Sequence, residues 1–258
     1  SELEEVLQGE QFVDEVFFTV PPARLDEITD ALEVGGVKRV FSSAKGPYRD
    51  GDGNVIGMFG VTREITRQKR EEEAMRRANR ALRMMWQVSR TLVRATREQE
   101  LLSAVCRIAV EEGGYRLAWV GFGEDDAEKT IRPAAQFGWE DGYLETLLLS
   151  WADTVRGRGP TGTAIRTAAP VVARHIDTDP SFAPWREEAL RRGYASSAAL
   201  PFEGCIGALT VYSPIPAAFG PEEVLLLTEL ADMLAYGIRS LRAVSPARNP
   251  VDNVARSK

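Results

Sequence analysis

Apolar residues that alternate spacings of four and three positions run through the middle of this 258-residue chain. Such spacing is typical of a helix that presents one narrow apolar seam, as in a coiled coil. It predicts one continuous helix over residues 64–95, about 48 Å long. We expect the seam to pair with a second helix, although the same stripe would also suit a helix that lies on its own domain. The seam consists of Ala74, Ala78, Ala81, Met85, Val88, Leu92 and Ala95.

A second long helix with the same spacing is predicted near the end of the chain. It begins at Pro221 and extends to about Leu241. Between the two, residues 101–109 continue an apolar helical face as far as a glycine pair at 113–114. In a homodimer the first and last helices would form a parallel bundle. We expect its dimer seam to consist of Ala78, Ala81, Met85, Val88, Leu92, Leu234 and Ile238.

Charge and composition narrow the class of protein. The formal net charge of −6 favours neither a nucleic-acid partner nor an anionic membrane surface. No run of about 20 apolar residues is present, so no transmembrane helix is expected, and the acidic start Ser1–Glu5 does not resemble a signal peptide. Cys106 and Cys205 lie far apart in unlike contexts and are expected to be buried, reduced thiols. These features predict a cytoplasmic protein.

The segment before the long helix is predicted to form a small sheet with little core. Strands are expected at 12–20, from Val37 to about Lys45, and at 55–61, because β-branched and aromatic residues are frequent there. Leu25, Ile28 and Leu32 recur at helical spacing and predict a short helix over 23–33.

After the glycine pair, short strands alternate with short helices, which indicates a mixed domain. Pro246 and Pro250 end regular structure, so residues 244–258 are expected to form a disordered tail. Strands are predicted at 115–122, 129–137, 170–176, 195–202 and 205–212, the last two joined by the two-residue turn Glu203-Gly204, and short helices at 140–149, 160–167 and 187–192.

The second half of the chain resembles a GAF domain. Three segments carry the resemblance: Gly157 to Arg166 followed by Pro170-Val171-Val172, Asp179 to Ser197, and Ile206 to Tyr212 with Phe219. The resemblance covers about residues 84–243. It implies an α+β fold in which a central antiparallel sheet has helices on its faces and a long linker helix precedes it.

The first half resembles the C-terminal part of a PAS domain, known as a PAC segment. Residues 45–50 and 53–57 look like its last hairpin, and Arg63-Glu64-Ile65-Thr66 looks like the motif that joins such domains to a signalling helix. The usual first residue of that motif is Asp, whereas this chain has Glu64. The resemblance implies a partial PAS-like segment at 1–63, a coiled-coil linker at 64–83, a GAF-like domain at 84–243 and the tail at 244–258.

A ligand pocket is implied by the GAF resemblance, between the sheet and the helices of the 150–190 region. Such pockets are largely apolar with a few placed polar groups. The aromatic residues could equally fill the core, and His175, the single histidine, would then be structural. The candidate pocket residues are Trp119, Trp151, Thr161, Thr163, His175, Phe182, Trp185, Ser197 and Tyr212.

Other motifs give no catalytic or metal residue and no recognisable haem, flavin, bilin or metal site, so the cofactor is unknown. The glycine run 157–162 lacks the lysine of a phosphate-binding loop, but a helix beginning there beside Arg156 and Arg158 would favour an anionic ligand group. Redox enzymes that share the GAF fold need neighbouring cysteines, which would require Cys106 and Cys205 to lie within about 7 Å between Cα atoms.

These features predict a sensory module of bacterial two-component or related signal transduction, not an enzyme. An unidentified small ligand would bind the pocket, and paired helices of a homodimer would pass the signal to a histidine kinase or diguanylate cyclase type of output, in the same chain or in a partner. The alternative is a dimerisation scaffold whose pocket is filled by side chains. A void of a few hundred Å³ would favour sensing, and a solid core would favour the scaffold.

Overall fold

The structure, a computed structural model, describes residues 26–34 and 37–244. The chain divides into two compact units, Ser1–Met75 and Arg76–Lys258. The predicted strand at 12–20 and the predicted tail, apart from Val244, lie outside the described residues.

The first unit contains a three-stranded antiparallel sheet in the order β1-β2-β3. Its strands are β1 (Asp26–Val34), β2 (Val37–Arg49) and β3 (Val55–Glu64). The helix predicted over 23–33 is therefore wrong for its described residues. Ile28 and Leu32 fit a period of two as well as a helical one, and Val34 pairs with Val37 across a connection of hairpin length.

Side chains join the end of β3 to the start of the first long helix, α1 (Thr66–Arg94). The Thr66 hydroxyl oxygen accepts from the Val40 amide at 2.9 Å and the hydroxyl donates to Glu64 Oε1 at 2.9 Å. Glu64 Oε2 also accepts from Arg39 of β2 at 3.1 Å. Glu64 thus contacts the sheet and the helix start at once, which fixes where α1 begins.

The second unit is built on a five-stranded antiparallel sheet, which confirms the predicted α+β fold class. The strand order is β5-β4-β8-β7-β6. The strands are β4 (Leu117–Gly123), β5 (Ile131–Gly138), β6 (Val171–Ala173), β7 (Ser196–Pro201) and β8 (Gly207–Ser213). The Phe202 amide donates to Gly207 O, so residues 203–206 form the connection between β7 and β8. This connection is longer than the predicted two-residue turn.

Helices cover both faces of this sheet. The long helices were predicted within three residues of their ends, whereas the helix predicted at 140–149 shrinks to one turn, preceded by Gly142 at φ 69°. The helices after α1 are α2 (Glu98–Glu111), α3 (Tyr143–Thr146), α4 (Pro160–Thr167), a 3-10 helix (Pro180–Trp185), α5 (Arg186–Arg191) and α6 (Pro221–Val244).

Two separate apolar clusters form the core, one on each face of the sheet. The helix-side cluster joins alternate residues of β4, β7 and β8 to α2, α6 and the second half of α1. The aromatic cluster lies on the opposite face, beneath the segment 143–195. Successive side chains along a strand point to opposite faces of the sheet, so each central strand contributes to both clusters.

The predicted dimer seam is largely occupied within one chain. Val88, Leu234 and Ile238 have no exposed surface and belong to the helix-side cluster, and Met85 and Leu92 pack against it. Val88, Leu234 and Ile238 therefore cannot form a seam with a second copy in this structure. The second half of α1 lies on its own domain, which is the alternative that the apolar spacing left open. Ala78 is exposed and Ala81 half-buried.

Candidate functional site

The aromatic cluster is the candidate functional site. It is rich in large rings because inward residues of β4 and β8 meet residues from the loops and short helices of the 143–195 region. Its rings are packed edge-to-face and tilted, with centroids of Tyr143 and Tyr212 5.8 Å apart and those of Tyr194 and Tyr212 4.7 Å apart. The six buried rings are those of Trp119, Tyr143, Phe182, Trp185, Tyr194 and Tyr212.

Three phenol groups of this cluster are held in the neutral form. Burial raises the pKa of Tyr212 to about 12, and hydrogen bonding to Tyr143 opposes this rise. Burial also raises the pKa of Tyr143 and of Tyr194, and each is raised further by Tyr212. These hydroxyls therefore act as hydrogen-bonding groups and not as anions at neutral pH.

A small cavity lies within the cluster, next to the start of α4. Its volume is about 10 Å³, which is the size of a site for one water molecule. It is therefore far smaller than the few hundred Å³ expected of a ligand site. Its lining consists of Tyr143, Leu147, Leu149, Arg156, Gly159, Pro160, Thr161, Gly162, Phe182, Trp185 and Tyr212.

Several buried polar atoms on this face have no hydrogen-bond partner among the described residues. They are Trp119 Nε1, Trp185 Nε1 and Ser197 Oγ. Trp119 Nε1 lies near the Tyr212 hydroxyl but without hydrogen-bond geometry. By contrast, Thr161 and Thr210 join their hydroxyls at 3.0 Å. Buried polar groups without partners are rare in proteins, so each calls for a water or a ligand atom.

The glycine run before α4 is required by close packing. A Cβ at Gly159 would lie 2.2 Å from the Trp185 ring, and one at Gly162 would lie 2.4 Å from the Ser150 carbonyl oxygen. Arg166 binds the preceding loop from inside, donating to Gly157 O at 2.9 Å. These contacts hold the loop against the aromatic cluster, so the glycines have a structural role that needs no phosphate.

The two arginines beside this loop have different surroundings. Arg156 lines the cavity from an exposed position. Arg158 instead donates to Asp153 at 2.8 Å, and this contact lowers the pKa of the Asp153 carboxyl. Arg156 is thus the cation that could meet an anionic group entering the site.

The predicted pocket residues divide into three sets. Thr161, Phe182, Trp185 and Tyr212 line the cavity. Trp119 and Ser197 are fully buried on strands β4 and β7 of the sheet, without lining the cavity.

Trp151, Thr163 and His175 lie outside the cavity. The half-buried Trp151 donates from Nε1 to Glu124 O at 3.0 Å, and Thr163 donates to Arg158 O at 3.1 Å. His175 is exposed, because β6 ends at Ala173 and a turn follows in which the Asp179 amide donates to His175 O. Its assignment as a pocket contact is wrong.

Sequence reasoning missed Tyr143 and Arg192. Tyr143 lines the cavity from α3, a segment predicted only as a longer helix. Arg192 is 9% exposed, lies over the Tyr143 ring at 5.3 Å, and donates to Glu140 O at 3.0 Å and to Glu188 at 2.7 Å. The only signal for this buried cation in the sequence is that Arg192 is followed by a glycine. In the structure this glycine, Gly193, has a φ of 72°.

The cysteines are not arranged as reactive groups. Both are free thiols. Burial raises the pKa of Cys106 to about 12 and also raises the pKa of Cys205. A thiol must ionise to act as a nucleophile, so neither side chain is activated here.

Residues 26–34 and 37–244 contain no group of three or more His, Cys, Asp or Glu side chains placed to hold a metal ion. None of their helices combines the length and apolar character that a membrane span requires.

Comparison with known proteins gives a family and several structures. A family model described as GAF domain matches residues 95–239, whereas no curated protein matches the sequence. The GAF domain of a phosphoenolpyruvate-protein phosphotransferase from Coxiella burnetii is 20% identical, with a TM-score of 0.52 over 65% of this chain and 97% of its own. The nlh2 GAF domain of A. aeolicus is 14% identical, with a TM-score of 0.50 over 63% and 98%.

A third similar structure is the free methionine-R-sulfoxide reductase of Neisseria meningitidis in complex with its substrate. It is 20% identical, with a TM-score of 0.50 over 61% of this chain and 87% of its own. At these identities the structures show a shared fold alone. The family model spans more than half of the 258 residues and includes the whole five-stranded sheet, so this chain belongs to the GAF domain family.

Proposed function

We propose that this chain is a regulatory module of signal transduction whose GAF domain binds a small ligand at the aromatic cluster. The observation that carries the proposal is the set of buried polar atoms without partners, Trp119 Nε1, Trp185 Nε1 and Ser197 Oγ. Leaving such a group unsatisfied costs about 1–3 kcal/mol. A core selected only for stability would replace these groups with apolar ones, so their retention favours a bound molecule with hydrogen-bond acceptors.

The chemistry around the cavity favours a ligand with an anionic group. The lining includes the start of α4, where a helix exposes amide groups, and the exposed cation of Arg156. The aromatic rings would hold an apolar or planar part of the same molecule. Because the cavity holds about one water, ligand entry requires the loop that Arg166 secures to move outward.

Strands shared by the two clusters give such a movement a route to the long helices. In β8, Tyr212 contributes to the aromatic cluster while Val211 contributes to the helix-side cluster. A ligand that binds one arrangement of this strand more tightly shifts the population of that arrangement and of α1 and α6 with it. We propose that the helices of a homodimer pass this shift to a histidine kinase or diguanylate cyclase type of output.

The remaining assignments follow from this role. We propose that the first unit is the C-terminal part of a PAS domain, with the divisions at 63/64, 83/84 and 243/244, and that α1 is the signalling linker. The Glu64 contacts with Arg39 and Thr66 support this, because they couple the sheet to the helix start. We propose no catalytic role, since burial suppresses ionisation of Cys106.

A second candidate function, a dimerisation scaffold, is favoured by the size of the cavity. A volume of about 10 Å³ is that of a nearly solid core. In this alternative a single water fills the cavity, and no ligand enters.

Mass spectrometry of molecules released from the purified, denatured full chain separates the two candidates. Sensing predicts a co-purifying small anion, retained less by Arg156→Ala. Arg158→Ala is the matched control, because Arg158 is exposed and paired with Asp153. We expect at least about a tenfold loss of retention for Arg156→Ala, equal to about 1.4 kcal/mol, and no change for the control.

Two results would reject the sensing proposal. One is the absence of any released molecule together with no thermal stabilisation by the small anions of a metabolite library. The other is equal retention by both arginine variants, which would place the anion elsewhere.

A further inference from the structure

A groove between α1 and α2 concentrates positive charge. Its volume is about 380 Å³, which falls within the range of sites for small molecules. Arg90 and Arg94 line it from α1, and Arg107 lines it from α2. We call this site the arginine groove. Its other lining residues are polar or small: Gln87, Thr91, Ala95, Glu100 and Ala104.

The carboxylates near the groove leave its three arginines uncompensated. Glu100 Oε1 accepts from Arg97 Nε at 2.8 Å, so the charge of Glu100 is already paired. Glu111 and Glu112 line an adjoining cavity beside Arg107 and not the groove itself. All three arginines are exposed, and no ion pair joins any of them to another described residue. The groove therefore presents three unpaired positive charges.

The sequence of α1 places two of these charges where they repel each other. Arg90 and Arg94 are four positions apart, which puts them about one turn, or about 6 Å, apart along the helix. Like charges at this spacing destabilise a helix, and no acidic residue occurs in 74–97 to offset them. The formal net charge of the whole chain is −6, so this concentration of arginine is local. A bound anion would relieve the repulsion.

The chemistry of arginine favours phosphate as the anionic group. A guanidinium presents planar N–H donors that match two oxygens of one phosphate. One phosphate group carries a charge of about −1.5 to −2 at pH 7 and does not neutralise three arginines, whereas two or more linked phosphates do. None of the described lining residues is aromatic, so the groove itself offers no ring on which a nucleobase could stack. The Trp86 ring, one turn before Arg90, is covered by the Arg90 guanidinium, 4.4 Å from the ring centre.

We propose that the arginine groove binds a small molecule with two or more linked phosphate groups. The site is separate from the aromatic cluster, because α1 and α2 pack on the opposite face of the sheet. It goes beyond the ligand proposed for that cluster, and either site can fail without the other. Bound phosphates join the last two turns of α1 to α2, so this ligand stabilises the packing of α1 on its own domain.

Isothermal titration calorimetry of the full chain with inorganic triphosphate, in about 150 mM NaCl without magnesium, tests the proposal. We expect one triphosphate per chain. Arg94→Ala and Arg107→Ala should each weaken binding at least about tenfold, because each removes a charge-assisted hydrogen bond. Arg83→Ala is the matched control, since Arg83 is exposed on the same helix without lining the groove. It should change the affinity by less than about twofold, because salt screens a charge outside the site.

Two further probes show which part of the ligand is recognised. Orthophosphate should bind at least about tenfold more weakly than triphosphate, since it offers a single phosphate group. ATP should bind within about threefold of triphosphate, because the groove contacts the phosphates and not the base. Circular dichroism of each variant confirms that it is folded.

Four results would each overturn the proposal. The first is no binding of triphosphate at millimolar concentration. The second is groove variants that lose no more affinity than Arg83→Ala, which would indicate a general attraction to α1. The third is orthophosphate that binds as tightly as triphosphate, or ATP that binds more tightly than the stated range. The fourth is binding weakened by Arg156→Ala and not by the groove variants, which would place the anion at the aromatic cluster and leave the proposed function standing.

Discussion

The two faces of the five-stranded sheet are filled by different chemistry. The helix-side cluster is largely aliphatic and joins three long helices to the sheet. The aromatic cluster contains six buried rings, a small cavity and unpartnered indole and hydroxyl groups. Within β8 the alternation is direct, since Leu209 and Val211 face the helices while Thr210 and Tyr212 belong to the opposite face. One face is packed as an aliphatic core, whereas the other retains buried polar groups without partners among the described residues.

Among the predicted effects, alkaline pH should change the free energy of unfolding the most, because three of the buried phenols lie on the aromatic face. Burial favours their neutral form, so the stability they contribute is complete below pH 10 and is lost as pH rises towards the folded pKa, about 12 for Tyr212. Each phenol should lower the free energy of unfolding by about 1.4 kcal/mol per pH unit. Tyr143 and Tyr212 together then account for roughly 5 kcal/mol by pH 12.

Urea unfolding at a series of pH values measures this loss. Tyr212→Phe should reduce the slope above pH 10 by the share of one phenol. Tyr236→Phe, at an exposed position, is the control variant. A free energy of unfolding that stays constant from pH 10 to 12 would mean that water already reaches these hydroxyls.

On the helix side of the sheet, a substitution that creates a cavity should lower the free energy of unfolding. Leu234 has no exposed surface, so Leu234→Ala should lower the free energy of unfolding by about 3 kcal/mol. Leu148 is 67% exposed, and Leu148→Ala, the same chemical change, should stay within about 0.5 kcal/mol. Denaturant unfolding measures both. A loss below about 1 kcal/mol for Leu234→Ala would show that this cluster can collapse around a gap and is not close-packed.

The helix side was the more predictable half from sequence. The periodic apolar residues gave α1, α2 and α6, because helical spacing persists over many residues. The same spacing could not say what covers a stripe: Val88 suits a second chain as well as its own domain, and only the folded chain decides. The helix expected at 23–33 was wrong for the same reason. The spacing of Ile28 and Leu32 fits both a helix and a strand, and in the structure both residues lie in a strand that pairs with β2.

Prediction of the site depended on the family resemblance more than on any pattern. Four of the residues that it suggested, Thr161, Phe182, Trp185 and Tyr212, line the cavity, and their role in binding stays a prediction. It failed at His175, because a local turn decides whether that side chain points inwards or to solvent. It missed Tyr143, whose position depends on a single turn of helix after Gly142.

The smallest expected effect comes from two adjacent serines of β7, whose side chains lie on opposite faces of the sheet. Because the two positions are otherwise alike, they give the most direct test of the comparison. Ser196 and Ser197 are both fully buried. Ser196 Oγ donates to Ile215 O at 2.7 Å, whereas Ser197 Oγ has no partner among the described residues. Ser196→Ala should cost about 1 kcal/mol, and Ser197→Ala should be neutral or stabilise by a few tenths, because it removes an unsatisfied group and leaves almost no cavity.

Denaturant unfolding of the two variants, with the wild type beside them, measures the difference. If Ser197→Ala costs as much as Ser196→Ala, then Ser197 has a hydrogen-bond partner in the purified protein, and that partner must be a retained water or ligand. Repeating the measurement on protein refolded from denaturant and freed of small molecules separates these two, because water returns on refolding and a ligand does not. A cost that disappears after refolding would identify the aromatic face as an occupied binding site, and a cost that persists would favour the water-filled scaffold.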